Sequence, residues 1–194
     1  MSLTYFLAGF FAKAVAGLDD IITETPLLDN IAKTDDAKFA FLIGTLIAIS
    51  VTIVIASVFS GLIQTLPLYR YVMAAMLFGL ATLIYYDVFV LEPKNRVKMI
   101  IETQDFSSDM FPKMIGAGFL ATLSTVVSDV IVFMPMFFEG ALGTFAVWGI
   151  FAATIIEVVL VLFFSEKITG MRYKNYFVSM GLILLGLMVV FKII

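Results

Sequence analysis

Six long apolar runs constrain this chain more than any other feature. They lie at about residues 3–28, 38–64, 69–91, 112–138, 143–165 and 174–193. Each reaches the ~20 residues a helix needs to cross a bilayer core, so each reads as a transmembrane helix. The composition agrees: 62% of residues are hydrophobic and 14% charged, and mean hydropathy is +1.09. A soluble domain needs more polar surface than that. The expectation is an all-α integral membrane protein forming a single domain over residues 1–194. The opening "YFLAGFFAKAVAG" has the apolar run and Ala-x-Ala of a signal peptide, but no basic residue precedes it and Lys13 interrupts it.

The polar stretch "EPKNRVKMIIETQDFSSDMFP" divides the chain into two groups of three helices, about residues 1–92 and 112–194. These halves are related. "AGFFAKAVAGLDDIITETPLL" (8–28) aligns without gaps on "AGFLATLSTVVSDVIVFMPMF" (117–137), pairing Asp20 with Asp129 and Pro26 with Pro135. Weaker pairings follow in the second helices (Gly44/Gly149, Ala48/Ala153) and third helices (Tyr69/Tyr176, Gly79/Gly186). Three is odd, so the second half enters the membrane from the opposite side. The result is a 3+3 inverted repeat, an architecture that places a transport site near the midplane on discontinuous helices. Helices 1 and 4, long and proline-containing, are expected to be kinked or broken.

Basic residues set the orientation. Lys33, Lys38, Lys94, Arg96, Lys98, Lys113, Lys167, Arg172 and Lys174 fall on one side, Arg70 and Lys192 on the other, and Lys13 inside the first helix. The positive-inside rule places both termini outside and the long middle loop in the cytoplasm. The net charge of −3 gives no reason to expect a nucleic-acid partner. The chain has no cysteine and no histidine, which removes disulfides, thiolate sites and imidazole ligands.

Carboxylates at membrane depth are costly and mark function. Asp20 and Asp129, related by the repeat, are the first candidates, with Pro26 and Pro135 freeing a carbonyl nearby. Glu24 and Thr23 follow Asp20 on the same helical face. Asp19 reaches the same site only where the backbone unwinds, and its counterpart is Ser128. Glu157, in "AATIIEVVLVLFF", has no counter-charge in its own helix and aligns weakly with Thr52. Hydroxyls such as those of Ser124 and Thr125 more often bond back to their own helix.

Taken together, "GLDDIITETP" and "VVSDVIVFMP" in a six-helix inverted repeat resemble the lysine exporter (LysE) superfamily. Its cation branches include manganese exporters, CadD-type cadmium-resistance proteins and TerC-like proteins. That resemblance implies a prokaryotic cytoplasmic-membrane transporter with Asp20 and Asp129 as central cation ligands. The thiol-redox CcdA relatives need two cysteines that are absent here.

The expected function is secondary-active transport, by export, of a divalent cation such as Mn²⁺ or Ca²⁺ in exchange for H⁺ or Na⁺. Carboxylate, hydroxyl and carbonyl oxygens suit these hard ions. The cation is substrate, and no cofactor is expected. The partners are the lipid bilayer and the coupling ion, and the sequence leaves a homodimer open. The alternative is export of an amino acid or other small solute on the same fold, for which Lys13 alone offers a positive group. An intramembrane aspartyl protease fits poorly: "GLDD" and "YYDVF" come in reversed order and the helices are too few. No enzymatic activity is expected.

Overall fold

The computed structural model describes residues 2–31, 34–86, 110–123, 125–140, 143–168 and 174–194. Side chains are described for residues 3–17 of the first helix and 143–161 of the sixth. Every element among these residues is helical. They are α1 (Ser2–Ile31), α2 (Asp35–Gln64), α3 (Tyr69–Tyr85), α4 (Met110–Leu123), α5 (Val126–Phe133), a 3₁₀ turn (Met134–Phe137), α6 (Gly143–Ile168) and α7 (Lys174–Val190).

These elements follow the apolar runs closely. α2 starts where Thr34, in extended conformation, accepts a hydrogen bond from the Ala37 N–H at 3.3 Å, the usual way to satisfy an orphan donor at a helix start. It ends before the turn containing Pro67, where Leu68 takes a left-handed conformation at φ 62°. Among the described residues, two stretches are long and apolar enough to cross a membrane, Asp36–Gln64 and Gly143–Val161. α4 and α5 make a third if the bent pair is one span. Leu3–Gly17, Tyr69–Tyr85 and Asn175–Val190 are shorter apolar helices. Seventeen residues rise about 25 Å, at the lower limit for a bilayer core.

The helices pair across the two halves of the chain: α1 on α6, α2 on α4 and α3 on α7. Glycines allow the first two crossings. A Cβ on Gly9 would collide with the Ala146 carbonyl, and one on Gly149 with the backbone of Phe6 and Phe10. At the other crossing, a Cβ on Gly44 would strike the backbone of Ile115 and Phe119, and one on Gly118 that of Phe41 and Thr45. Backbones in such contact are characteristic of small residues at helix interfaces in membranes. The two crossings also correspond contact by contact. Setting Gly9 on Gly118 and Gly149 on Gly44 carries Phe6 to Ile115, Phe10 to Phe119 and Ala146 to Phe41.

The core between the helices is filled by small and branched side chains, including Ala12, Ile49, Ala56, Leu77, Ile150 and Leu185. The outside is apolar as well: Val54, Val58, Leu62, Ile155, Ile156 and Met180 face outward, and Trp148 is 65% exposed. One end of the bundle is tied by polar contacts. Arg70 donates to the Ile194 carbonyl at 2.9 Å and lies 3.7 Å from Glu139, and the Tyr5 hydroxyl donates to Glu139. The beginning and end of the described chain therefore meet at the same end.

Helices 1 and 4 were expected to be kinked or broken, and the fourth run is broken while the first is one continuous helix. α1 runs uninterrupted from Ser2 to Ile31, through Pro26. The fourth apolar run is broken, with α4 and α5 bent by 62°. The break lies between Leu123 and Val126, ahead of Pro135 rather than at the proline. Hydroxyls account for its position. Thr125 turns its N–H (3.3 Å) and its hydroxyl (3.0 Å) onto the Thr122 carbonyl, taking over an acceptor that a continuing helix would bond differently. Pro135 instead enters the 3₁₀ turn at its start, where a missing N–H costs nothing.

Candidate functional site

Asp129 sits in the first turn of α5, just past the break, and is 1% exposed. Its backbone N–H bonds the Thr125 carbonyl at 3.2 Å, so the short helix starts directly beneath the bend. The N-terminus of a helix favours negative charge, which suits a carboxylate at this position. Val130, Val132 and Phe133 are buried around it. The neighbouring Ser128 donates its hydroxyl to the Thr125 carbonyl at 2.7 Å, within its own segment.

Glu157 is not a lone charge. Lys13 Nζ lies 3.0 Å from its Oε2, with side-chain exposures of 1% and 8%. The pair bridges α1 and α6 inside the bundle, beyond the Gly9/Gly149 crossing. Gly17 gives the carboxylate its space, since a Cβ there would collide with the Glu157 head group. Buried charges persist when paired, and this contact joins a lysine of α1 to a glutamate of α6. Lys13 as partner is the feature that reading the sequence missed. The available signal was that an intramembrane acid needs a counter-charge and only Lys13 lies at membrane depth.

The corresponding positions at the other crossing hold threonines. The offsets that superpose the glycines set Lys13 on Thr122 and Glu157 on Thr52. Both threonines are buried, and each donates to its own helix, Thr122 to the Gly118 carbonyl at 2.9 Å and Thr52 to the Ala48 carbonyl at 3.0 Å. One crossing thus carries an ion pair at the two positions where the other carries threonines.

The side chains of Asp19, Asp20, Thr23 and Glu24 lie outside the described residues, as does Ser124. Of the expected ligands, the structure therefore places Asp129, Ser128 and Glu157. Among the described residues, no three acidic side chains gather in a group able to hold a metal ion. Position 20 stands on α1 two turns beyond position 13, on the same side of the helix. The chain matches no family model, no curated protein and no solved structure.

Proposed function

We propose that this chain is an integral membrane carrier of a divalent cation, built as a 3+3 inverted repeat of six spanning helices and driven by exchange against H⁺ or Na⁺. The observation that carries the reading is Asp129: a carboxylate removed from solvent, at the start of the half-helix that follows the break in the fourth span. Intramembrane acids on discontinuous helices are where transporters of this architecture hold ions. The contact-by-contact match of the two glycine crossings supports the repeat. The apolar outside of the bundle supports insertion in lipid. Lys13 is engaged by Glu157, so the positive group that an organic acid substrate would need is already committed, which favours a cation as cargo.

In this reading the cation binds Asp129 together with the carboxylates of α1 around position 20. Protons or sodium ions replace it when it leaves. Asp129→Asn keeps the volume and removes the charge. The expected result in liposomes is Mn²⁺ or Ca²⁺ flux reduced to the level of empty vesicles, with no response to a proton gradient, from a protein that still folds. Wild-type coupled flux in the variant would make Asp129 structural and end the reading.

Charge bias places the loop between the halves in the cytoplasm and both termini outside. The native chain has no cysteine, so Ser107→Cys gives a unique label site. A membrane-impermeant thiol reagent is expected to reach it from the cytoplasmic face alone. Labelling from outside would invert the orientation and leave the repeat untouched.

A further inference from the structure

We infer that the ion pair between Arg70 and Glu139 is a releasable clamp on the half-helix that carries Asp129, and that its release opens the bundle at that end. The inference deepens the proposed transport reading, since it names the contact that keeps Asp129 from one face of the membrane. It rests on that reading only for its consequence in transport; the clamp itself follows from the packing.

α5 and the 3₁₀ turn form one piece, Val126–Phe137, set at 62° to α4 across the break. Such breaks at element ends are where a chain absorbs the dihedral changes of a hinge. Past the far end of the piece, Gly140 takes φ 56°, a conformation open to glycine at no steric cost, and the chain changes direction again. Just before Gly140, three helices hold the piece. Gln64 of α2 donates to the Phe137 carbonyl at 3.4 Å, and Tyr69 of α3 meets Phe138 edge-on with ring centres 5.0 Å apart. Arg70 lies 3.7 Å from Glu139, which also accepts the Tyr5 hydroxyl of α1. The same guanidinium donates to the Ile194 carbonyl at 2.9 Å, so one side chain ties the piece to the segment after α7. Between Asp129 and the clamp, Phe133, Met134 and Met136 are buried, as Asp129 is. The clamp itself is half in water: its side chains are 16% and 41% exposed, against 1% and 8% for Lys13 and Glu157. A pair that water can rehydrate is weak, which is what a contact that opens and closes requires; the buried pair is the fixed joint.

The chain has no cysteine, so Met136→Cys places a single thiol in the buried turn. In protein purified in detergent, its reaction with a charged methanethiosulfonate is expected to be slow. Adding Arg70→Gln or Glu139→Gln should speed it about fivefold, the factor that the upper end of an exposed pair's worth corresponds to. Arg70→Lys, which keeps the charge but not the fork, should stay nearer the parent than Arg70→Gln does. Ala40→Cys, buried near the start of α2 and so towards the opposite end of the bundle, is the control and should not respond. If Met136→Cys does not fold, Val132→Cys, buried in the same piece, carries the label. Three results would overturn the inference. They are an unchanged rate in the turn, an equal acceleration at position 40, which is loosening of the whole bundle, or an effect of Arg70→Lys as large as that of Arg70→Gln. The failures remain distinguishable. A wild type without flux refutes transport and leaves the labelling result standing, while unchanged labelling refutes the clamp whatever the flux.

Discussion

Glu157→Gln is expected to destabilise the folded bundle by about 3–5 kcal/mol, because it removes one charge from a buried ion pair. The loss comes from the charge that stays buried more than from the contact itself. Removing both charges tests this directly. Lys13→Met/Glu157→Gln should recover most of the stability or exceed wild type by up to about 1–4 kcal/mol, as buried pairs often do when replaced by neutral groups of similar size. Unfolding in mixed micelles of wild type, both single variants and the double gives the coupling energy. Single variants costing under about 1 kcal/mol would be the behaviour of an exposed pair and would contradict the burial of this one.

Gly149→Val and Gly44→Val should each cost about 3 kcal/mol, the upper end of overpacking effects. The obstacle in both cases is the backbone of the facing helix. A flexible side chain can rotate away from an inserted methyl group; a carbonyl held in a helix cannot, so the helices themselves must separate. Gly61→Ala is the control, as nothing lies within 4 Å of a Cβ there. Alanine at that helical site should be neutral or stabilising by up to about 1 kcal/mol. The comparison also tests the correspondence of the crossings: a large loss at Gly44 with none at Gly149 would show that they are not equivalent.

The helices were legible because each follows a long apolar run, and Gly44 was set on Gly149 by a weak alignment of the two halves; that both stand at crossings that tolerate no side chain shows only in the packing. The break in the fourth span was expected, but at the wrong place. Proline was taken as the breaker, whereas Pro135 enters a 3₁₀ turn harmlessly and the hydroxyls of the Thr122–Thr125 stretch redirect the backbone ahead of it. In α1, the expected break is absent and the helix continues through Pro26. The burial of Asp129 was legible from its place in an apolar segment. The partner of Glu157 was not, because a search confined to its own helix does not reach Lys13. That contact depends on α1 lying across α6, which residue order alone does not state.

Trp148 is the chain's single tryptophan. It stands next to Gly149 and faces outward from the α1/α6 crossing. All indole emission therefore originates at one point on the perimeter, a residue away from where two backbones touch. Its colour reports the medium around that point, and quenchers placed at known depths along lipid chains locate the crossing along the membrane normal. The bundle is thus supplied with an optical depth gauge at its tightest joint, with no added dye.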